Sequence, residues 1–437
     1  MDSLRVGLVG FGTVGAGVAE ILVNHKQRLA ARSGKSIQLV RAAVRNPSKR
    51  ESPLLQGVAL SADGLDVARD PNVDVVLELI GGLEPARQIV RTALENGKHV
   101  VTANKALLCE HGEELFAAAK KAGRTIAFEA AVAGGVPIIH VLGQSMAANQ
   151  ITEIQAIING TSNYILTEMF RNGASYGDAV RRAQEIGYAE SDPSMDVQGT
   201  DAAQKLGLLT QLAYGTRVTP DRFLVQGIDT LELADLRYAD MLGYAVKLVA
   251  TAKLVAGRLE MHTQPTLVRK DDPLAKVEGA NNVISLTGDI LGETWFSGMG
   301  AGREATASAV VADVIDLAVG RAQLTFGHLD LWGNRPKFEL QPAEEIVRRY
   351  YLRFNVEDKP HVMADLTDIL GRNGISLSSV IQHESPEVEE TSPGTTQTVP
   401  LVIMTHRTTE GRYRKAAAEL DKLTCVRLPR VCLPVAG

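Results

Sequence analysis

A glycine-rich segment near the amino terminus constrains the fold of this chain more than any other feature. Gly10-Phe11-Gly12-Thr13-Val14-Gly15 follows the apolar run Leu4–Val9 and opens the amphipathic stretch Val14–Leu29. Glycine lets the backbone approach a ligand closely, and the N–H groups at a helix start favour an anion. Such glycines also occur in ordinary turns, but their place at the first strand–helix junction favours a dinucleotide-binding turn formed by these six residues.

The first part of the chain alternates short apolar runs with helical patterns. This alternation predicts an α/β, Rossmann-type domain with a parallel sheet covered by helices on both faces. Further strands are expected at Ile37–Val44, Val73–Ile80, His99–Thr102 and Thr125–Phe128. Helices are expected at Ala86–Asn96 and Gly112–Lys121.

The pattern changes after the first part, and this change predicts the domain organisation. A strand at Ile151–Ile158 is followed by helical patterns at Tyr164–Arg171, Ser175–Ile186 and Gly199–Tyr214. We expect a nucleotide-binding domain at residues 1–130, completed by 304–333 through the small-residue helix Glu304–Ala318. An α+β catalytic and dimerisation domain is expected at 131–303, a linker at 334–345 and a third domain at 346–437.

Composition excludes several classes of protein. The 437 residues are 45% hydrophobic and 22% charged, with a formal net charge of −5, so the chain lacks the basic excess of nucleic-acid-binding domains. No apolar run approaches the ~18 residues that a membrane span requires. The cysteines, Cys109, Cys425 and Cys432, have no metal-ligand spacing, and the amino terminus shows no secretion signal. We therefore expect a cytoplasmic protein.

The end of the second strand bears on the choice of cofactor. A site for NAD(H) usually carries an acidic residue there, which binds the ribose 2′-hydroxyl. This strand instead ends Ala43-Val44-Arg45, with Lys49 and Arg50 close behind. Arginine suits a 2′-phosphate, so the sequence favours NADP(H), with use of NAD(H) left open. The alternative is a basic loop that is merely solvated.

Two segments carry candidate catalytic residues. Lys105 directly follows the strand His99–Thr102, and ligands in doubly wound folds bind beyond the carboxyl ends of strands. Asp201 and Lys205 are four residues apart, so they share one face of a helix together with apolar side chains. A partly desolvated lysine beside carboxylates can serve in proton transfer. The alternatives are a surface lysine at position 105 and an ordinary salt bridge between Asp201 and Lys205.

Several motifs in order resemble those of homoserine dehydrogenases, and the resemblance spans residues 4–333. The motifs are Gly10–Gly15, Asn104-Lys105, Asn159-Gly160-Thr161-Ser162-Asn163-Tyr164-Ile165 and the run from Gly187 to Lys205. The resemblance implies that Lys205 is the acid/base, that Asp201 holds the substrate oxygen and that Lys105 lies near nicotinamide and substrate. It implies further that Glu190 binds the substrate amino group. Thr161, Gly187 and Asp196 would line the substrate pocket, and Gly302 would contact the cofactor.

A second glycine-rich loop resembles the monovalent-cation loop of the same family. It reads Glu129-Ala130-Ala131-Val132-Ala133-Gly134-Gly135-Val136-Pro137. The resemblance implies that backbone carbonyls of Glu129, Val132, Gly134 and Val136 surround a sodium or potassium ion, for which hard oxygen ligands are suited. From the residues alone, a plain Gly/Pro turn is the simpler interpretation.

The implied reaction is the reversible NADPH-dependent reduction of L-aspartate 4-semialdehyde to L-homoserine, a step of threonine, methionine and isoleucine biosynthesis. One alternative is another NADP-dependent amino-acid oxidoreductase of the same architecture. Another is a catalytically silent sensor of NADP and an amino acid. Cys109 could suggest thiohemiacetal chemistry on the same aldehyde, but it lies in an apolar helical stretch without a neighbouring base, so we interpret it as a core residue.

The carboxyl-terminal segment predicts a β-α-β-β unit at Tyr350–Val356, Val362–Gly371, Ile375–His383 and Val399–Thr405. It resembles a ferredoxin-like ACT domain, a module that binds small amino acids, usually between paired copies. L-threonine is the expected effector, and a homodimer or homotetramer the expected assembly. His361 replaces the usual glycine of the ligand-binding turn, which puts effector binding in doubt. The alternative is a purely oligomerising module.

Overall fold

The computed structural model describes residues 2–47, 52–329, 337–382 and 398–437. The chain divides into two compact units. The first comprises Met1–Gly160, Asp201–Arg222 and Asn281–Phe338, and the second comprises Thr161–Thr200, Phe223–Ala280 and Glu339–Gly437. Lys49, Arg50, His383 and residues 334–336 of the predicted linker lie outside the described residues. The domain limits expected from the sequence stay a prediction.

A six-stranded parallel sheet forms the centre of the first unit. Its strands are β1 (Ser3–Val9), β2 (Ser36–Ala43), β3 (Ala59–Ser61), β4 (Val75–Glu78), β5 (His99–Thr102) and β6 (Ile126–Ala127). Their order is β3-β2-β1-β4-β5-β6, and every neighbouring pair is parallel. All four residues of β4 are buried, as expected for a strand covered on both faces. The predicted α/β fold class is confirmed.

Helices connect these strands and complete the unit. They are α1 (Thr13–Asn24), α2 (Lys26–Ser33), α3 (Gly64–Arg69), α4 (Ala86–Glu95) and α5 (Lys105–Ala122), then α6 (Ile138–His140), α10 (Thr200–Tyr214), α12 (Arg303–Val319) and α13 (Arg321–Leu329). The stretch predicted as one helix, Val14–Leu29, is two helices, because the chain breaks at His25. A Cβ on Gly17 of α1 would lie 3.0 Å from the Arg303 side chain, so this glycine permits α1 and α12 to pack closely.

An antiparallel layer of three strands also belongs to the first unit. The strands are β7 (Ile151–Ile157), β11 (Asn281–Gly288) and β12 (Gly292–Met299), with β11 in the middle. The sequence analysis predicted β7 but neither of the other two. Among the described residues, no helix is long and apolar enough to cross a membrane.

The second unit begins with helices and a long hairpin. The helices are α7 (Gly160–Asn172), α8 (Tyr176–Glu185), α9 (Ser194–Val197) and α11 (Leu233–Met241), and the hairpin is β9 (Tyr244–Val255) and β10 (Arg258–Arg269), with β8 (Leu224–Val225) beside β10. Ala256 and Gly257 form the hairpin turn with φ of 48° and 78°, the left-handed pair that two-residue hairpins favour. The sequence analysis missed this hairpin.

The carboxyl-terminal residues form a β-α-β-β-α-β fold within the second unit. Its elements are β13 (Val347–Glu357), α14 (Val362–Arg372), β14 (Leu377–Gln382), β15 (Thr398–Thr405), the short β16 (Thr408–Thr409), α15 (Glu410–Leu420) and β17 (Val426–Val435). The strand order β17-β13-β15-β14, with antiparallel neighbours, is the ferredoxin-like arrangement that the sequence predicted. The last helix and strand were not anticipated.

Candidate active site

A cavity of about 700 Å³ lies beside the glycine-rich turn. Gly10, Phe11 and Gly12 line it, together with residues at the ends of β2 and β4. Gly10 has φ of 102°, and a Cβ there would lie 2.7 Å from the Leu79 carbonyl oxygen. A Cβ on Gly15 would lie 2.1 Å from the Gly10 carbonyl oxygen, whereas one on Gly12 would meet open space. The turn therefore packs tightly against the sheet and leaves open space at Gly12.

The other candidate cofactor residues lie at three places in the first unit. Thr13 and Val14 form the first turn of α1. Arg45 follows β2, is exposed and lines the cavity, so its guanidinium can reach a ligand there. Gly302 does not line the cavity. It is the N-terminal cap of α12, with φ of 113°.

A carboxylate between two lysines forms the chemical centre of the first unit. Asp201 Oδ2 lies 2.7 Å from Lys205 Nζ, and Asp201 Oδ1 lies 3.0 Å from Lys105 Nζ. Asn159 Nδ2 donates to Asp201 Oδ2 at 2.8 Å, and Lys205 Nζ donates to the Ile158 carbonyl oxygen at 2.8 Å. The structure thus brings Lys105, Asp201 and Lys205 together and adds Asn159, which the sequence analysis did not single out as a site residue.

Helix geometry places the two lysines. Asn104 caps α5 by accepting a hydrogen bond from Leu107 N at 3.1 Å, so Lys105 lies in the first turn of that helix. Asp201 and Lys205 are one turn apart on α10. The side chain of Lys205 is 12% exposed and that of Lys105 is 30% exposed. Both side chains are partly shielded from water but remain accessible.

The protonation state of Asp201 follows from opposing effects. Burial raises the pKa of this carboxyl, but the ammonium groups of Lys205 and Lys105 and the Asn159 amide lower it to about 2. Asp201 is therefore ionised at neutral pH, and with two lysines the cluster carries a net positive charge. Such a cluster can stabilise negative charge that develops on a substrate oxygen.

Cys109 does not provide a nucleophile in this structure. Its thiol donates to the Gln204 carbonyl oxygen at 3.2 Å, and burial raises its pKa to about 12. A cysteine that stays protonated is a poor nucleophile. This geometry supports the interpretation of Cys109 as a core residue.

The four candidate substrate residues from the region before α10 lie in the second unit. Thr161 Oγ1 donates to the Tyr188 carbonyl oxygen at 2.7 Å, which ties the start of α7 to the loop that contains Gly187 and Glu190. Ser162 Oγ donates to the Asp196 carbonyl oxygen at 2.9 Å. The first turn of α7 therefore holds both the Tyr188 and the Asp196 backbone. The Glu190 side chain is exposed.

The candidate cation loop is anchored through the Glu129 side chain. Its carboxylate accepts hydrogen bonds from the backbone of Ile139 and His140, both at 2.9 Å, and forms an ion pair with the His140 imidazole. Asp313 Oδ2 accepts from Glu129 N at 3.0 Å. The carboxylate is therefore engaged, and only the Glu129 carbonyl remains as a candidate cation ligand.

The loop backbone supplies the remaining candidate ligands. Ala133, with φ of 52°, turns the chain between Val132 and Gly134. A Cβ on Gly134 would lie 3.1 Å from the Gly300 carbonyl oxygen, so this position has little space for a side chain. Within the part of the chain that the structure describes, no group of three His, Cys, Asp or Glu residues could hold a metal ion. Any cation here would depend on carbonyl oxygens.

Residues that the sequence analysis missed share a simple signal. Asn159 lies just after β7, and Glu78 and Thr102 end β4 and β5. Polar residues at the carboxyl ends of buried strands are candidates for the same reason that Lys105 is. His140 had no comparable signal, because only the tertiary structure places it against Glu129 and Asp316.

The parallel sheet with its glycine turn and the lysine–aspartate–lysine cluster define the class of the protein, an oxidoreductase with a pyridine-nucleotide-binding domain. Models of two parts of one family match residues 10–129 (homoserine dehydrogenase, NAD binding domain) and 137–315 (homoserine dehydrogenase). An ACT domain model matches residues 350–425. The chain belongs to the homoserine dehydrogenase family.

Full-length relatives agree with this assignment. Homoserine dehydrogenase of Pseudomonas aeruginosa is 40% identical and covers 100% of this chain and 99% of its own, and that of Neisseria gonorrhoeae is 37% identical over 98% of both. A crystal structure of a homoserine dehydrogenase from Thiobacillus denitrificans has a TM-score of 0.89 and 40% identity, over 100% of this chain and 99% of its own. A hyperthermophilic archaeal homoserine dehydrogenase in complex with NADPH has a TM-score of 0.62 and 27% identity, over 73% and 98%.

Proposed function

We propose that the chain catalyses the reversible NADPH-dependent reduction of L-aspartate 4-semialdehyde to L-homoserine, in the biosynthesis of threonine, methionine and isoleucine. The observation that carries the proposal is the Lys105–Asp201–Lys205 cluster in a chain of this family. The cluster combines a proton donor with a net positive charge, which can stabilise and protonate the alkoxide that forms when a hydride reaches an aldehyde carbon.

Lys205 is the proposed acid. When bound, the reduced nicotinamide supplies a hydride to the aldehyde carbon. Two N–H groups of Lys205 Nζ are held by Asp201 and the Ile158 carbonyl, which leaves the third for the substrate oxygen. Lys205 protonates that oxygen as negative charge develops, and Lys105 adds a second positive charge. In the reverse direction, the hydroxyl proton returns to Lys205 Nζ.

Further residues are proposed to recognise the cofactor and the substrate. Arg45 pairs with the 2′-phosphate and gives the preference for NADP(H) over NAD(H), since a guanidinium matches phosphate geometry. Bound NADPH in the archaeal relative is consistent with this preference. The other assignments are Glu190 for the substrate amino group, Thr161, Gly187 and Asp196 for the pocket wall, and Gly302 for the cofactor.

We also propose a sodium or potassium ion, an effector and an assembly. The carbonyls of Glu129, Val132, Gly134 and Val136 would hold the cation, which would stabilise the loop by neutralising their partial charges.

L-threonine is the proposed effector at the ACT domain. A homodimer or homotetramer is the proposed assembly, which light scattering of the purified protein would determine.

The deciding experiment follows NADPH consumption by the purified full-length chain. We expect turnover with L-aspartate 4-semialdehyde and, in reverse, with L-homoserine and NADP⁺. L-aspartate and meso-diaminopimelate with NADP⁺ serve as comparison substrates. Preferential turnover of either comparison substrate would indicate a different amino-acid oxidoreductase. Tight NADPH binding without any turnover would indicate a sensor.

A further inference from the structure

Glu78 is a buried carboxylate that no step of the proposed reaction uses. It ends β4 and is fully buried, between Val9 of β1 and Thr102 of β5 in the sheet register. Burying a carboxylate is costly unless hydrogen bonds compensate for the lost water. Burial raises the pKa of Glu78, and hydrogen bonds from its neighbours oppose that shift. The groups that donate these hydrogen bonds therefore indicate what Glu78 does in the fold.

One oxygen of Glu78 holds the loop beside the nucleotide cavity. Glu78 Oε1 accepts hydrogen bonds from Ile80 N at 3.1 Å and Gly81 N at 3.3 Å. Ile80 lines the cavity, and the adjacent Leu79 carbonyl lies against the Gly10 turn. This half of the carboxylate fixes the backbone of the cavity wall.

The other oxygen of Glu78 holds the turn that leads into α5. Thr102 Oγ1 donates to Glu78 Oε2 at 2.6 Å and accepts a hydrogen bond from Asn104 N at 3.0 Å. Asn104 Nδ2 in turn donates to the Gly82 carbonyl oxygen at 2.7 Å. The next residue is Lys105, whose ammonium group reaches Asp201. A continuous set of hydrogen bonds thus joins the cavity wall to Lys105.

We propose that Glu78 is a positioning residue. It fixes the backbone of the nucleotide-binding loop 79–82 relative to the turn that precedes Lys105. The inference rests on the proposed function for the role of Lys105. A carboxylate suits this position because it can accept hydrogen bonds on both oxygens, and a charged acceptor makes these bonds stronger. In Glu78→Gln, the side-chain oxygen could still accept from the backbone N–H groups and the NH₂ group could donate to Thr102 Oγ1, but both hydrogen bonds would lose the charge of the carboxylate and the Thr102 hydroxyl hydrogen would lose its acceptor.

The test compares three variants of the full-length chain with wild type. Glu78→Gln weakens the hydrogen bonds to the loop 79–82 and to Thr102. Thr102→Val removes only the hydroxyl that connects Glu78 to the turn before Lys105, and Thr102→Ser keeps that hydroxyl. Asp74→Asn is the matched control, because its carboxylate pairs with Arg5 just before β4, at the opposite end of the strand.

We expect distinct kinetic effects. Glu78→Gln should lower kcat about a hundredfold, the scale of loss that an ångström-level displacement of a catalytic group causes, and should weaken NADPH binding. Thr102→Val should lower kcat with little change in the dissociation constant of NADPH, and Thr102→Ser should restore most of that loss. The double variant Glu78→Gln/Thr102→Val should lower kcat by less than the product of the two single effects, because both changes act on one connection.

Amide hydrogen exchange separates this inference from the proposed function. Glu78→Gln should accelerate exchange in residues 79–82 and in residues 104–107, whereas Thr102→Val should affect only 104–107 and Asp74→Asn neither. Unchanged exchange in both segments, or a kcat for Glu78→Gln equal to that of Asp74→Asn, would overturn the inference. If Glu78→Gln fails to fold, the Thr102→Val and Thr102→Ser pair decides by the same readouts. An inactive wild type would refute the proposed function, and the exchange data would still test the coupling.

Discussion

Lys205 makes the most specific chemical prediction. Lys205→Met keeps the apolar part of the side chain and removes the proposed proton donor. We expect kcat to fall by about 10²–10⁴-fold, the usual contribution of a positioned acid, while NADPH still binds. Steady-state kinetics and NADPH fluorescence titration measure the two effects. Lys26→Met, at an exposed helix position, is the control, and near-native turnover of folded Lys205→Met would remove this residue from the mechanism.

Arg45 tests the basis of cofactor preference. Its exposed guanidinium lines the nucleotide cavity, so Arg45→Ala should raise the KM for NADPH much more than that for NADH. A charge-assisted hydrogen bond contributes about 1.5–3 kcal/mol, which predicts a shift in preference of about tenfold or more. Equal changes for both cofactors would mean that Arg45 only shapes the loop.

The loop from Glu129 to Val136 tests the proposed cation without reference to activity. Sodium or potassium chloride should raise Tm above the value in choline chloride at equal ionic strength, because a ligand that binds only the folded state stabilises it. Gly134→Val, which would press a side chain against the Gly300 carbonyl, should abolish the difference between the salts. Equal Tm values of wild type in all three salts would count against a bound cation.

The ACT fold is joined to the rest of the second unit by a buried ion pair. Arg353 of β13 contacts Asp235 of α11 through two hydrogen bonds, Nε to Oδ1 at 2.6 Å and Nη2 to Oδ2 at 3.0 Å. Removal of one partner leaves a buried charge, so Arg353→Met should lower the free energy of unfolding by about 3–5 kcal/mol. Arg353→Met/Asp235→Leu should regain much of this loss in urea titrations. Additive losses in the double variant would show that the two residues act independently.

The proposed regulation by L-threonine is tested on the complete chain, because an effector must bind at one site and change another. His361 has φ of 73°, a conformation that glycine favours, and lines a cavity of about 430 Å³ with Asp358 and Lys359. His361→Gly relieves this strain and opens the turn. It should therefore lower the L-threonine concentration at which inhibition is half-maximal. D-threonine is the ligand control. If L-threonine affects neither protein, the assignment of L-threonine as the effector is wrong.

The sequence predicted those elements that a short stretch of residues specifies by its own pattern. The strands of the parallel sheet are short apolar runs between turns, and all of the predicted ones were found within a few residues of the expected positions. The hairpin β9–β10 was missed because it is buried on both faces and yet contains the buried polar residues Lys247, Glu260, His262 and Gln264. Such strands show neither alternation nor a continuous apolar run.

The glycine turn, the strand ends and the spacing of Asp201 and Lys205 are local features. They were enough for the sequence to predict the α/β class, and together with the family resemblance they indicated the candidate catalytic residues. The tertiary structure decided which distant groups meet. It places Lys105 and Asn159 on Asp201, and Thr102 on Glu78. The pKa of Asp201 depends on these contacts, because burial and two neighbouring ammonium groups act on the carboxyl together. Electrostatic energies depend on distance and solvent exposure, which chain order does not record.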